Sequence, residues 1–126
     1  MEALKFDPAL HLEMIRNWSS DRGLGPVPPN MLPKTGRIIP GVCAIFLYKT
    51  DSDIGFLENL ISNPRADKKV ASQGIDLCIS AIEKDAKELG VALLWSTTCI
   101  SGVVERAERL GFHVQKRVYK LILKGI

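Results

Sequence analysis

The chain has 126 residues, of which 46% are hydrophobic and 25% charged, and this size and composition predict one globular domain spanning residues 1–126. Its 17 Lys and Arg against 14 Asp and Glu leave a net charge of +3, too small and too dispersed to indicate a nucleic-acid partner. No apolar run approaches the ~18 residues of a membrane span, and residues 1–4 lack the basic start of a secretory signal, so we expect a cytoplasmic protein with no membrane partner.

The N-terminal region is predicted to form a short strand over residues 3–6 and then a helix. Asp7 can cap this helix, and its apolar stripe ends near Trp18. Residues 23–33 contain four prolines and two glycines, which remove amide donors and restrict φ. We therefore expect an ordered loop without a regular element there.

Three strands are predicted next, over residues 37–39, 42–48 and 54–61. The pair Pro40-Gly41 suits a tight turn between the first two, because proline presets one φ angle and glycine tolerates a positive one. The polar cluster at residues 49–53 turns the chain again. A β-meander is the expected result.

A long helix, a buried strand, a shorter helix and a final strand are predicted in the C-terminal half. Gly90 ends the long helix, residues 92–96 form the strand, and Ser101 caps the shorter helix, which Gly111 ends. Residues 112–123 are predicted to be a strand or a short hairpin. The long helix is predicted from apolar residues spaced by one, three or four positions, namely Ile75, Cys78, Ile79, Ile82, Ala86 and Leu89.

The predicted order of elements is β-α-β-β-β-α-β-α-β. A meander followed by βαβ crossovers gives an α/β fold of the mixed α+β type, with a central mixed sheet and helices on both faces.

The cysteines and histidines do not match a catalytic or metal-binding motif. Cys43, Cys78 and Cys99 have apolar neighbours, so we interpret them as small buried side chains in a reducing compartment. His11 and His113 have no serine or cysteine at a motif spacing and no clustered carboxylates. We therefore expect no metal site.

The start of the long helix is a candidate anion site. A helix N-terminus after Ala66 offers unpaired amides and a positive dipole, and Arg65, Lys68 and Lys69 add cations. The segment 69–74 supplies small residues that allow close backbone approach. The alternative is a solvated basic turn with a good helix cap.

Glu58 interrupts the apolar strand that precedes this site. Burying a carboxylate is costly unless it is paired or solvated through a cleft. A Glu58 that faces a cleft could take a proton from an amine, and a Glu58 on an exposed face would have no such role.

Four segments together resemble the GNAT acyltransferase superfamily, particularly its small phage-type members. They are "LISNP", "KVASQGIDLCISAIEKDAKELG", "VALLWST" and "VVERAERLGF". The resemblance extends from Arg37 to the C-terminus, and its most specific part is the helix–strand–helix run that ends in Leu110-Gly111-Phe112.

The resemblance implies acetyl-CoA as co-substrate, bound in a gap where the strand before the loop separates from its neighbour. It implies that the pantetheine bonds main-chain groups of Leu60, Ile61 and Ser62. The pyrophosphate would be bound by the segment that matches the superfamily's loop pattern, Lys69, Val70, Ala71, Ser72, Gln73 and Gly74. In this segment serine replaces the middle glycine of the pattern.

Two departures concern the superfamily's proton donors. Ala107 occupies the position of the tyrosine that commonly protonates the leaving thiolate, and the usual upstream asparagine would lie near Ile100. Glu58 lies where many members carry a glutamate that acts as base.

Two hypotheses follow from the sequence. The first is an N-acetyltransferase in which an amine attacks the acetyl-CoA thioester directly in a ternary complex, with Glu58 as base. The alternative is a catalytically degenerate binding or structural protein on the same scaffold, such as a phage virion component or an inhibitor of a host factor. The acceptor amine, on a small molecule or a protein, is not specified, and the C-terminal edge strands could support a homodimer.

Overall fold

The computed structural model describes the backbone of residues 1–126 and every side chain except that of Pro29. Met1–Ser96 forms one compact unit and Thr97–Ile126 a second. The single-domain organisation of the whole chain stays a prediction.

The helices and strands follow the predicted order, except that no strand follows the last helix within the described chain. In chain order they are β1 (Leu4–Lys5), α1 (Pro8–Asp21), β2 (Thr35–Ile39), β3 (Cys43–Lys49), β4 (Ile54–Ser62), α2 (Lys68–Glu88), β5 (Leu93–Trp95) and α3 (Ser101–Arg109). The sheet has the order β1-β2-β3-β4-β5. Its first four strands are antiparallel neighbours, and β5 runs parallel to β4. The predicted mixed sheet is confirmed.

Helix α1 covers one face of this sheet. Asp7 caps the helix as predicted, its carboxylate accepting from the Ala9 amide at 3.0 Å. His11 is buried, and its Nδ1 accepts from the Asp7 amide at 2.9 Å, which satisfies the imidazole inside the core. The hydrophobic cluster between α1 and the sheet consists of Phe6, Ile15, Trp18, Ile38, Ala44 and Phe46.

Helix α2 covers the opposite face. In β3 the buried side chains of Cys43, Ile45 and Leu47 alternate with those that face α1. The helix contributes its predicted stripe, with Cys78, Ile79, Ile82 and Ala86 all buried. Helices therefore flank both faces, as predicted.

An ion pair connects α2 to strand β2. Arg37 donates to both carboxylate oxygens of Asp85, at 2.6 Å each, and to the Ala3 carbonyl at 3.0 Å. Bidentate arginine–carboxylate pairs combine geometric specificity with a charge-assisted bond. Arg37 thereby ties the segment before β1, strand β2 and helix α2 together.

The predicted turn and helix end adopt the expected backbone. The Val42 amide bonds the Ile39 carbonyl at 2.9 Å across Pro40 and Gly41, and Gly41 has φ +78°. Gly90, at φ +82°, follows the last residues of α2.

The structure differs from the sequence prediction in several places. Residues 112–123 form no strand within the described chain, because strand propensity needs a hydrogen-bonding neighbour to be expressed. Cys99 is exposed rather than buried, since it lies in the turn before α3. The N-cap of α3 is Ile100 instead of Ser101, and a short 3₁₀ turn at Pro29–Met31 interrupts the proline-rich loop.

Candidate active site

The pairing between β4 and β5 stops after three residue pairs. Ile54 pairs with Leu93, and the last pair is Phe56 with Trp95. Strand β5 ends at Trp95, whereas β4 continues to Ser62. Within the described sheet, residues 57–62 of β4 therefore have no paired strand on the β5 side. We call this unpaired edge the seam.

Strand β4 carries a bulge at the seam. Between the pairs Phe46–Glu58 and Ala44–Ile61, β4 has two residues where β3 has one. Asn59, in this interval, has φ +57°, a left-handed conformation that asparagine tolerates better than most residues. A bulge disrupts the ladder locally and bends its strand, which leaves main-chain groups available at the centre of β4.

The hydrogen bonds at the end of β4 show which main-chain groups face the seam. The Asn63 amide donates to the Val42 carbonyl at 2.8 Å, and hence points towards β3. Because successive strand residues point their main-chain groups to opposite edges, the groups of Ser62 face the seam and those of Ile61 face β3. Leu60 belongs to the bulge, where this alternation is interrupted. Of the three predicted pantetheine residues, Ser62 thus presents its main-chain groups to the seam.

The side chain of Arg22 contacts this edge. Arg22 donates from Nε to the Ser62 carbonyl at 2.9 Å and from Nη2 to the Ser62 hydroxyl at 2.7 Å. Arg22 directly follows α1, and its side chain is exposed. The sequence contains no local signal for this contact, because 40 positions separate the two residues.

Helix α2 begins earlier than its apolar stripe, at Lys68. Its N-cap is Asp67, whose carboxylate accepts from the Val70 amide at 3.0 Å and whose carbonyl accepts from the Ala71 amide at 2.8 Å. From Ala71 onward the amides belong to the helical ladder. The amides of Lys68 and Lys69 lie in the first turn, where no intrahelical acceptor exists.

The predicted segment 69–74 is therefore helical rather than a loop. A Cβ atom on Gly74 would lie 2.8 Å from Val42 Cγ1 and 3.2 Å from Cys43 Sγ. This glycine lets α2 approach the sheet closely. Ser72 is half-buried, and Gln73 is exposed.

The loop between β4 and α2 is an ordered turn. The Asn63 side chain donates to the Gly41 carbonyl at 2.9 Å and accepts from the Arg65 amide at 3.0 Å. The Arg65 guanidinium lies 3.5 Å from the Asp21 carboxylate. The end of α1, the end of β4 and the start of α2 therefore converge at one end of the seam.

Glu58 is half-buried and pairs with Phe46, on the α1 face of the sheet. Nearby, the Tyr48 hydroxyl accepts from Asn59 Nδ2 at 2.5 Å and donates to the Met31 carbonyl at 3.0 Å. Burial raises the pKa of Tyr48, the hydrogen bond from Asn59 opposes this, and the charge of Glu58 raises it further. Tyr48 is thus a neutral phenol at physiological pH.

Ala107 and Ile100, the two positions at which the resemblance implies proton donors, belong to the second unit. Ala107 lies within α3 and is half-buried, and Ile100 is the N-cap of that helix. Neither side chain has a proton to give. Tyr119 is 68% exposed.

Other chemistry has little support among the described residues. No group of three or more His, Cys, Asp or Glu side chains in that part of the chain could hold a metal ion. Cys43 and Cys78 lie 3.8 Å apart and buried, and this contact together with burial raises the pKa of the Cys78 thiol. None of the described helices combines the length and the apolar character that crossing a bilayer requires.

The fold is that of known acetyltransferases. An acetyltransferase of Trypanosoma brucei superposes with a TM-score of 0.66 at 12% identity, over 97% of this chain and 99% of that chain. The aminoglycoside N-acetyltransferase AAC(6')-Iy in complex with CoA gives 0.63 at 16% identity, over 98% and 100%. The same enzyme with a bisubstrate analogue, CoA-S-monomethyl-acetylneamine, gives 0.64 at 18% identity, over 98% of each chain.

No family model and no curated protein matches the sequence. The likeness is therefore one of structure, and the chain has the GNAT acetyltransferase fold. The phage-type qualifier stays a prediction.

Proposed function

We propose that the protein is an N-acetyltransferase that moves an acetyl group from acetyl-CoA to an amine. The observation that carries the proposal is the seam. Strand β4 outruns β5 by six residues, 57–62, and its end leads through the short turn 63–67 to the N-terminus of α2. A thin ligand with amides at one end and phosphates at the other fits that order of groups.

The residues present can hold such a ligand. Pantetheine amides would pair with the main chain of Leu60 and Ser62 in the manner of an added strand. The pyrophosphate would lie at the first turn of α2, where the amides and side chains of Lys68 and Lys69 and the helix dipole favour an anion. Ser72 remains close enough in sequence to contribute a hydroxyl, whereas Ile61 contributes packing.

Glu58 is the proposed base. When bound, acetyl-CoA supplies an activated thioester. The amine nitrogen attacks its carbonyl carbon, the new C–N bond forms, the C–S bond breaks, and the proton released by the amine passes to Glu58 directly or through water. Because Ala107 has no proton to give, the leaving thiolate takes its proton from solvent. Holding the two reactants together supplies much of the acceleration.

The acceptor is an amine. Two of the structural neighbours are complexes of an aminoglycoside N-acetyltransferase, which supports amine acylation as the reaction class. A protein lysine, an N-terminus, a polyamine and an antibiotic are the candidate acceptors.

Isothermal titration calorimetry with acetyl-CoA tests the proposal. We expect saturable binding, and a melting temperature that rises with ligand concentration by mass action, equivalent to about 2.7 kcal/mol at 100 times Kd. Ser72→Asp should weaken binding through repulsion between the new carboxylate and the pyrophosphate. If millimolar acetyl-CoA produced no binding heat and no shift in melting temperature, the proposed function would be rejected.

A binding or structural role is the second candidate, and two observations favour it. Ala107 cannot donate a proton at the position where the resemblance places the common proton donor. The Val70 amide at the helix start already donates to the Asp67 carboxylate. This role predicts CoA binding without thiol release in the presence of any acceptor amine, or no CoA binding.

A further inference from the structure

The contact between Arg22 and Ser62 lies on the main-chain edge that the proposed function assigns to pantetheine. The guanidinium holds both the Ser62 carbonyl, at 2.9 Å, and the Ser62 hydroxyl, at 2.7 Å. A ligand amide that pairs with β4 at this residue would approach the same carbonyl oxygen. That oxygen has a second lone pair, so ligand and Arg22 compete for the space at this edge, which the guanidinium covers, rather than for a single lone pair.

Resting on the proposed function, we propose that Arg22 is a specificity-determining residue that selects phosphorylated thioesters over phosphate-free ones. In the free protein its guanidinium covers Ser62. When the cofactor enters, the guanidinium leaves Ser62 and pairs with a phosphate group of the cofactor. A thioester without phosphates must displace Arg22 and offers it no replacement partner.

The position of Arg22 makes this exchange geometrically reasonable. Its neighbour Asp21 lies 3.5 Å from Arg65 of the turn between β4 and α2, so the end of α1 borders the start of α2, where the phosphates are placed. The Arg22 side chain is exposed, and its backbone is held independently, since the amide bonds the Trp18 carbonyl at 3.1 Å. The side chain can therefore move without loss of the helix end.

The relative strengths of the bonds favour the exchange. A hydrogen bond to a neutral carbonyl or hydroxyl at an exposed site contributes little net stability, because water replaces it readily. An arginine–phosphate pair is charge-assisted and bidentate, which makes it stronger. The phosphate is thus the preferred partner whenever it is present.

The test measures the affinities of acetyl-CoA and of S-acetylpantetheine, which has the same thioester and amides but no phosphate. Arg22→Ala should bind acetyl-CoA about tenfold more weakly, and S-acetylpantetheine about threefold more tightly, from the usual strengths of charged and neutral hydrogen bonds. The opposite signs separate this role from general damage to the site, which would weaken both.

Two further variants complete the experiment. Arg22→Lys keeps the charge and loses the planar fork, so acetyl-CoA affinity should fall less than in Arg22→Ala while S-acetylpantetheine again gains. Arg16→Ala removes an arginine of α1 whose Nε donates to the Val27 carbonyl at 3.3 Å, and it should change neither affinity by more than about twofold. Melting temperatures of all variants check folding, and Arg22→Lys carries the test if Arg22→Ala unfolds.

The outcomes distinguish the inference from the proposed function. If the Arg22 variants bound each ligand as tightly as the unmodified protein does, the inference would be overturned and the proposed function would stand. The same conclusion would follow if the variants lost affinity for both ligands in parallel. No binding of acetyl-CoA by the unmodified protein would overturn the proposed function and the inference with it.

Discussion

Glu58 is a carboxylate inside a strand whose neighbours are mostly apolar, beside the bulge that opens the centre of β4. Glu58→Gln keeps the shape and removes the ability to accept a proton. We expect acetyl transfer at neutral pH to fall by about 100- to 10,000-fold, the usual contribution of general acid–base catalysis. Release of CoA thiol with a panel of amines measures the rate.

The affinity for acetyl-CoA should be nearly unchanged in Glu58→Gln, because the cofactor contacts are assigned to main-chain groups and cations. Glu13→Gln, an exposed position on α1, is the matched control and should retain full activity. A Glu58→Gln protein that turns over as fast as the unmodified protein would show that another group is the base.

Gly74 permits α2 to pack closely against the sheet. In Gly74→Ala the new Cβ would lie 2.8 Å from Val42 Cγ1, and overpacking of this kind typically costs about 1–3 kcal/mol. Urea unfolding measures the loss. In Gly102→Ala the Cβ has no atom within 4 Å, so helix propensity should make it stabilising by a few tenths to about 1 kcal/mol. Equal stability of the two variants would contradict the packing role.

Helix α2 has two competing electrostatic properties at its N-terminus. Its dipole and lysines attract an anion, whereas the Asp67 carboxylate caps it and repels one. Asp67→Asn keeps a capping oxygen and removes the charge, so we expect little change in stability and acetyl-CoA binding about two- to fivefold tighter, in line with the usual strength of charge–dipole effects at a helix end.

Calorimetry measures this change, and the N-cap of α1 offers its control. Asp7→Asn alters the same kind of cap, where the carboxylate accepts from the Ala9 amide at 3.0 Å, away from the start of α2. It should leave the affinity for acetyl-CoA unchanged. Weaker binding by Asp67→Asn would place the phosphates elsewhere.

The stability of the whole molecule should depend on Glu83, which is half-buried in α2. Burial raises the pKa of this carboxyl, so the folded state binds the proton more tightly than the unfolded chain does. Its contribution to stability is therefore fully present below the ordinary glutamate pKa of about 4.3, and is lost as the pH rises through the raised folded value.

Glu83→Gln should consequently be more stable than the unmodified protein at pH 7, with the difference closing as the pH approaches 4. Urea unfolding at several pH values measures it. Glu105→Gln, at an exposed position of α3, controls for the loss of a negative charge. A stability difference for Glu83→Gln that is constant with pH would rule out burial of its charge as the cause.

The elements and the two covered faces follow from local properties of the sequence. Helical stripes, the Asp7 cap, the Pro40-Gly41 turn and Gly90 all act over four residues or fewer, so they can be predicted from neighbours along the chain. The absence of a strand at residues 112–123 could not be predicted in this way. These residues have strand propensity, but a strand forms only when another segment offers it hydrogen bonds.

The features of the candidate site likewise separate into those that follow from residue types and those that depend on the tertiary structure. Residue types alone determined the carboxylate Glu58, the cations around Lys68 and the absence of a proton on Ala107. Only the tertiary structure decided that β4 outruns β5, that Ser62 faces the seam while Ile61 faces β3, and that Arg22 reaches Ser62 across 40 positions. These features depend on strand register and on contacts between distant segments. Many alternative registers and contacts share the same local sequence pattern, and their relative free energies cannot be read from that pattern.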